Sequence, residues 1–321
     1  MTKFNKTLLA AALALGASSA FANPTFLFGT SKINFDSLEN HYRSDAACAA
    51  TGGCLTHDAA NDPSGWNRVD PASVGATSII PGDVFAGILS VYKINLSGWQ
   101  PSAAEEFTGY FAQEVSAVDA SVLTNAIIYF QNPTVDPFGV LGAGEMFRLY
   151  TDTSPDFTIG GTTFSGIANA TDGTAGDALW GALGIGPEGY AYTRDDLTVS
   201  GNDSNFASKT YLAVDVVTTG PTYNLNTLKP VNDTSESQLG GATASGSLLC
   251  SPADLTNPLV LCNDIVGNAD VKKNDFFATG DSPWYYEVND PLYLHQIPEP
   301  GTIALLGMGL IGLAGLRRRA A

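Results

Sequence analysis

Residues 87–98 read GILSVYKINLSG, a mostly apolar run bounded by two glycines, and this stretch indicates the fold class. Its side chains alternate with the two-residue period of a β-strand. Four further runs have the same character, and turn signals such as Asn132-Pro133 and Gly220-Pro221 separate them. These runs cover residues 126–130, 146–150, 211–217 and 285–288. Many short strands between such turns predict an all-β body with long loops, of the β-sandwich or jelly-roll type.

One stretch fits two kinds of secondary structure. Ser102-x-x-Glu105 has the pattern of a helix-capping box, and the apolar residues from Phe107 onwards recur at helical spacing. Several of them also fit strand alternation, and Gly109 weakens a helix, so we predict a strand. Residues 43–78 and 230–247 are rich in small and polar residues, and we predict a long surface loop in each.

The composition is that of an acidic globular protein. The 321 residues carry a formal net charge of −17, with 44% hydrophobic and 15% charged residues. This balance argues against an intrinsically disordered chain. Binding to nucleic acid needs a basic surface, so the acidity also argues against a nucleic-acid partner.

The first 22 residues are organised as a secretory signal peptide. Two lysines precede an apolar run at residues 8–15, and small residues follow at Ala20 and Ala22. This pattern predicts cleavage after Ala22, which leaves Asn23 as the first residue of the mature protein. The apolar run is too short to cross a hydrocarbon layer of about 30 Å, so a permanent anchor is the weaker interpretation.

Four cysteines agree with export to an oxidising compartment. Cys48 and Cys54 lie close together in sequence, as do Cys250 and Cys262. Three pairings are formally open, and we predict the two local disulfides Cys48–Cys54 and Cys250–Cys262. A zinc site is the weaker alternative, because the chain has no C-x-x-C and His57 has no second histidine at ligand spacing.

The C-terminal residues combine three signals in order. Pro298, Glu299 and Pro300 precede a short apolar span at residues 301–316, and Arg317, Arg318 and Arg319 follow it. A helix over that span is about 24 Å long, which is short for a bilayer. We therefore predict a short membrane helix that serves as a temporary anchor, with the arginines on the cytoplasmic side. The prolines keep the preceding backbone extended and accessible to a protease.

This arrangement resembles the PEP-CTERM sorting region of Gram-negative exoproteins, over residues 298–319. The resemblance implies processing by an exosortase, a membrane cysteine transpeptidase, after transient association with the inner membrane. It also implies a final location outside the cell or on its surface. The predicted organisation is a signal peptide at 1–22, a β body at 23–297 and a sorting signal at 298–321.

No motif in the body identifies a catalytic site or a cofactor. Gly184 to Gly189 satisfies the dinucleotide pattern G-x-G-x-x-G, but a strand-like run follows where that fold needs a helix. His57 and Asp58 are adjacent, and adjacent side chains on an extended strand point in opposite directions. We therefore predict a protein that is not an enzyme and has no cofactor.

Calcium is the one ligand that the sequence suggests, because clustered Asp and Asn residues offer the oxygen donors that it prefers. Solvated turns, in which Asp and Asn serve the backbone, are the interpretation that we favour for these clusters. The weak calcium candidates are Asp195, Asp196, Asp203, Asp264 and Asp270.

The combined features predict a secreted structural or adhesive protein of the extracellular polysaccharide matrix, in a biofilm or a floc. The resemblance supports this role, because some secreted PEP-CTERM proteins are associated with flocculation and exopolysaccharide production. The expected partners are exopolysaccharide or other matrix components. A secreted carbohydrate-binding module is the alternative, and a polysaccharide-acting hydrolase is a weaker one. The four tryptophans are expected mostly in the core.

Overall fold

A computed structural model describes residues 29–71, 79–95, 98–102, 105–153, 157, 161–171, 178–186, 189–195, 208–221, 265–274 and 282–296. Within these residues the chain forms eleven strands, two α-helices and a short 3₁₀ helix at Leu123–Asn125. The helices are α1 (Asp45–Thr51) and α2 (Thr163–Thr171). The strands are β1 (Gly29–Ser44), β2 (Trp66–Arg68), β3 (Val84–Ile94), β4 (Glu106–Asp119), β5 (Ala126–Gln131), β6 (Phe147–Asp152), β7 (Ala178–Gly184), β8 (Tyr190–Asp195), β9 (Ser208–Thr219), β10 (Ile265–Lys273) and β11 (Tyr286–Gln296).

All strand pairs are antiparallel, and they form one sheet that closes on itself. β5 and β6 pair with successive halves of the same edge of β4, while β8 and β7 pair with successive halves of one edge of β9. β5 also pairs with β8, and β6 with β7, so each collinear pair acts as one long arm. β9 continues through β10 and β11 back to β1. The result is an eight-arm up-and-down meander, with β2 attached to the end of β1.

The predicted all-β class is therefore confirmed, whereas the predicted two-sheet sandwich is wrong. A sandwich has two stacked sheets, but here the pairing of β1 with β11 joins the two ends of one sheet. Alternation of apolar and polar residues is the same in both architectures, so the sequence pattern alone did not distinguish them. Closure also removes the exposed sheet edges that favour aggregation.

The main core lies inside the closed sheet, where side chains from every long arm meet. It includes Phe35 from β1, Phe85 from β3, Phe111 from β4 and Leu212 from β9. A second cluster lies on the outer face of β1, β3 and β4, where α2 and the partly buried Phe138 cover it. Trp99, Trp180 and Trp284 are buried and Trp66 is half-buried, as expected for tryptophans used in packing.

The predicted strands are present, and the ambiguous stretch after residue 102 is the strand β4. The predicted surface loop at residues 43–78 is only partly correct, because it contains the end of β1, the helix α1 and the strand β2. Short polar residues favoured a loop there, but Ser44 caps α1, and the backbone of β2 pairs with the end of β1. The predicted loop at 230–247 lies outside the described residues.

The rejected dinucleotide pattern has a structural role at the break between β7 and β8. A Cβ at Gly184 would lie 1.9 Å from the carbonyl oxygen of Gly144, and one at Gly186 would lie 2.0 Å from Oδ2 of Asp215. Only glycine allows the close approach to the Gly144 backbone, whereas a larger residue at position 186 would require the Asp215 side chain to move. A strand, β8, follows the motif instead of a helix.

Candidate ligand-binding groove

A surface groove of about 400 Å³ lies beside α1, β2 and the start of α2. The side chains that line it are largely polar, with one exposed aromatic ring. They include Asp45, His57, Asp62, Ser64, Asn67 and Phe164. These residues come from three separate parts of the chain, so the groove depends on how the fold brings those parts together.

The helix α1, which carries a disulfide, contributes Asp45 to one wall of the groove. The hydroxyl of Ser44 accepts a hydrogen bond from the Ala47 N–H and caps α1, which ends at Gly52 with φ 70°. Cys48 and Cys54 form a disulfide with a Cα–Cα distance of 5.8 Å, which confirms the predicted local pairing. The disulfide ties the middle of α1 to the chain that follows the helix, and it therefore restrains the helix that carries Asp45.

An ion-pair cluster fixes the floor of the groove. The Arg68 Nε donates to Oδ1 of Asp62 at 2.8 Å, and Oδ2 of Asp62 accepts from the Asp58 N–H at 2.8 Å. The Asn61 amide and the Ala60 N–H, with the charges of Arg68 and His57, hold the pKa of Asp58 below its usual range. Asp58 is therefore ionised at neutral pH and completes the cluster around Arg68.

Asn61 connects this floor to α2. Its carbonyl oxygen accepts from the Thr163 hydroxyl at 2.8 Å, and its side-chain oxygen accepts from the Thr163 N–H at 3.0 Å. The next residue, Phe164, is 43% exposed and packs edge-on against Phe138 at 5.3 Å. One ring of α2 is thus held in place while much of it stays open to the groove.

A row of three polar side chains runs along the groove wall. The Nδ1 of His57 lies 3.2 Å from Oδ1 of Asn67, and the Asn67 amide nitrogen donates to Oδ1 of Asp45 at 2.7 Å. Asp45 and His57 are both exposed. The row therefore offers a carboxylate, an amide and an imidazole in a fixed order to a ligand in the groove.

This combination suits a ligand with many hydroxyl groups. Carboxylates accept hydrogen bonds from hydroxyls, and amides both accept and donate them. An exposed aromatic ring packs against apolar C–H surface. The groove has the volume of a small-ligand site, although it is shallow and more polar than most such sites. Its chemistry therefore fits polar, non-ionic or cationic ligands better than lipids.

The neighbouring residues His57 and Asp58 do not form a catalytic pair. The His57 ring contacts Trp66 and Asn67, whereas Asp58 contacts Asn61 and Arg68. Sequence reasoning named His57 but missed Asn67 and Phe164, because neither belongs to a recognisable motif. Their common feature is proximity in space, which no local pattern encodes.

Most of the other predicted site residues lie outside the described part of the chain. This holds for Ala20, Ala22 and Asn23 of the signal peptide, for Cys250 and Cys262, and for Pro298, Glu299, Pro300, Arg317, Arg318 and Arg319 of the sorting motif. It also holds for the calcium candidates Asp196, Asp203 and Asp264.

The two remaining calcium candidates lie in strands. Asp195 is the last residue of β8. The turn predicted around Asp270 is wrong, because Asn268, Ala269 and Asp270 lie within β10 and pair with β9. Within the described ranges there is no group of three or more His, Cys, Asp or Glu residues placed to hold a metal ion. Nor does any helix in those ranges have the length and apolar character needed to cross a membrane.

Comparison with protein families identifies one region of the chain. Residues 296–319 match the PEP-CTERM protein-sorting motif, which confirms the resemblance seen in the sequence. The motif implies processing by an exosortase and export to the cell surface or the extracellular space. The comparisons with curated proteins and with solved structures found no match.

Proposed function

We propose that this protein is a non-enzymatic adhesive component of an extracellular polysaccharide matrix, in a biofilm or a floc. The groove between α1, β2 and α2 binds the polysaccharide. The single observation that carries the proposal is Phe164, an exposed ring beside a fixed row of hydroxyl-binding groups. Sorting to the cell surface or beyond brings this groove to the place where such polymers are found.

The charges of the groove favour binding over hydrolysis. Glycoside hydrolases generally need two carboxyl groups that flank the scissile bond, one as an acid and one as a base or nucleophile. Asp62 is buried and held by Arg68, and Asp58 is held by Asn61 and Arg68. Only Asp45 among these carboxylates presents itself openly to the groove. The proposed function is therefore retention of a glycan without cleavage.

The acidity of the whole chain limits the kind of polysaccharide that the groove can bind. A net charge of −17 repels anionic polysaccharides at low ionic strength, and the groove adds the exposed Asp45 carboxylate. Neutral polysaccharides, or those with amino groups, meet no such repulsion. They are the partners that we propose.

Replacing the exposed ring tests this function. Phe164→Ala should weaken binding of matrix polysaccharide about tenfold, equivalent to about 1.4 kcal/mol, because it removes the packing surface but none of the hydrogen-bonding groups. Affinity electrophoresis through gels that contain the polysaccharide measures this change. Tyr129→Ala is the matched control, since Tyr129 is 40% exposed on β5 and does not line the groove. Equal binding by the two variants, or no binding by the unsubstituted protein, would contradict the proposal.

A further inference from the structure

Glu39 places a carboxyl group inside the closed sheet. It lies on the inner face of β1, opposite Gly87 of β3 and Tyr286 of β11, and is 4% exposed. Glutamate is almost never fully buried unless it is paired, so this position requires an explanation. Neither the groove nor the sorting motif involves it.

Two small interior cavities border this carboxyl group. They measure about 20 and 40 Å³, and both are bounded by Glu39, Gln113 and Val271. Such volumes hold one to a few water molecules and are far too small for an organic ligand. The interior is therefore a site for water or a proton, and the proposed polysaccharide ligand does not fit there.

Within the described residues, the Glu39 carboxyl has no hydrogen bond and no ion pair, and burial is the one cause that shifts its pKa. Nearby hydroxyls have other partners: Thr193 and Thr210 bond to each other at 2.6 Å, and Ser37 donates to the Val288 carbonyl. Among the residues that line the cavities, the Tyr286 phenol is the other titratable group that faces Glu39.

The nearest basic side chains on the same face of β1 are bound to another residue. His41 and Arg43 follow Glu39 at two-residue spacing, and both bind Asp83 of the segment before β3. β4 contributes the neutral residues Phe111 and Gln113 to the cavity walls, and β10 contributes Val271. No cation among these residues compensates an ionised Glu39.

A buried carboxyl group without a compensating charge is stable only when it is neutral. Burial raises the pKa of Glu39 from 4.5 to about 8. A metal ion is the other way to neutralise it, but a hard cation such as calcium needs six or more oxygen ligands. Much of the cavity walls is apolar, with residues such as Phe85, Phe130, Leu89 and Val288. The surroundings therefore favour a proton over a cation.

We propose that Glu39 is a proton-binding site whose occupancy stabilises the closed sheet, so that the fold is tightest in acidic surroundings and loosens as they become alkaline. An extracellular protein is exposed directly to the pH of its environment. The interior carboxyl would make the rigidity of the sheet respond to that pH.

The direction of the pH effect follows from proton linkage. Below pH 4.5 both the folded and unfolded chains carry the proton, so ionisation of Glu39 costs no stability. Between pH 4.5 and about 8 only the folded chain keeps it, so stability falls as the pH rises. Above that range the folded and unfolded chains have both lost the proton, and stability falls no further on account of Glu39.

Urea unfolding of the exported protein at pH 4 to 9 tests the proposal. The contribution expected from Glu39 is a rise in the unfolding constant of about tenfold per pH unit from pH 4.5 to about 8, or about three-thousandfold in total. Glu39→Gln should remove this share and be more stable than the unsubstituted protein at pH 8. Glu287→Gln, on the outer face of the adjacent strand β11, should leave it in place. An unchanged pH slope in Glu39→Gln would overturn the proposal.

Infrared spectroscopy of the unsubstituted protein gives a second test that does not depend on a variant. A protonated carboxylic acid should give its C=O band at pH 6 to 7, and the band should disappear as the pH passes through about 8. Absence of that band at pH 6 would overturn the proposal. So would loss of the band on addition of calcium or sodium ions at constant pH, since that result would identify a cation site.

Discussion

Two carboxyl groups inside the same closed sheet behave in opposite ways. Glu39 lies in the middle of the interior beside small cavities, and Asp83 lies at the end where β1 runs into α1. Both are almost completely buried, at 4% and 1% exposure. Burial raises the pKa of both, but for Asp83 the Arg43 guanidinium, His41 and the Ile80 N–H together outweigh it and lower the pKa. Partners, and not depth, decide which of the two is ionised.

The partnered carboxyl group also links the interior to the groove. Arg43 donates from Nε and Nη2 to Asp83, at 2.8 and 2.7 Å. Its Nη1 reaches outward to the Thr51 hydroxyl and the Gly52 carbonyl at the end of α1. A cation at that position also favours the helix dipole. Asp83 therefore holds Arg43, which in turn contacts the end of α1 beside the groove. Glu39 has no such structural role.

The strongest test of this contrast is Asp83→Asn. It removes the negative charge from the buried Arg43–Asp83 ion pair, and removing one charge of a buried ion pair typically costs about 3–5 kcal/mol. We expect a loss of that size in the free energy of unfolding, measured with urea at pH 7. Glu39→Gln at the same pH should change stability in the opposite direction.

Asp119→Asn serves as the control for this substitution. Asp119 is exposed at the end of β4, so the change should alter stability by less than about 1 kcal/mol. If Asp83→Asn were as mild as Asp119→Asn, the ion pair with Arg43 would not be essential to the fold.

Much of the strand content follows from local patterns, but the closure of the sheet does not. Alternation over residues 87–98 predicts β3, and Gly109 correctly favours a strand for β4. The pairing of Gly29 with Gln296 joins residues from opposite ends of the described chain. Nothing local in either strand specifies that partner, so the local sequence pattern is compatible with both a sandwich and a closed sheet.

The same limit applies to the two carboxyl groups and to the groove. Glu39 lies in a run whose alternation places it on the core face, yet a charged residue there is not normally expected inside. The Arg43–Asp83 pair spans 40 positions, and Phe164 comes to the groove from a different helix. The local disulfide Cys48–Cys54 was predictable because six positions of chain bring the two cysteines together.

A smaller effect is expected from His41→Phe. The His41 ring stacks on Phe85 at 4.5 Å, and its Nε2 lies 2.7 Å from Oδ2 of Asp83. Phenylalanine keeps the ring packing but removes the hydrogen bond, while Arg43 and the Ile80 N–H still bind Asp83. We expect a loss of about 1–3 kcal/mol in urea unfolding. A loss as large as that of Asp83→Asn would mean that His41, and not Arg43, is the main partner.

The smallest effect that we expect is the contribution of Asp83 to the loss of stability at low pH. Its lowered pKa means that the ion pair stabilises the fold above the ordinary value of 3.8, and that this stability is lost as the pH falls through the folded value. Glu39 acts in the other direction, with stability lost as the pH rises from 4.5 to about 8. The combined contribution of these two groups to stability is therefore largest between about pH 3.8 and 4.5.

Urea unfolding from pH 2 to 9 separates the two contributions. Asp83→Asn should make the free energy of unfolding fall less steeply at low pH, by the contribution of one proton, which is at most about 1.4 kcal/mol per pH unit. It should leave the fall in stability at alkaline pH unchanged. Glu39→Gln should do the reverse. NMR titration of the Asp83 carboxyl in the unsubstituted protein gives the same information if the variant does not fold. We attribute part of the loss of stability at low pH to Asp83 because of its ion pair with Arg43. If Asp83→Asn lost stability at low pH as steeply as the unsubstituted protein, other carboxylates would be the cause.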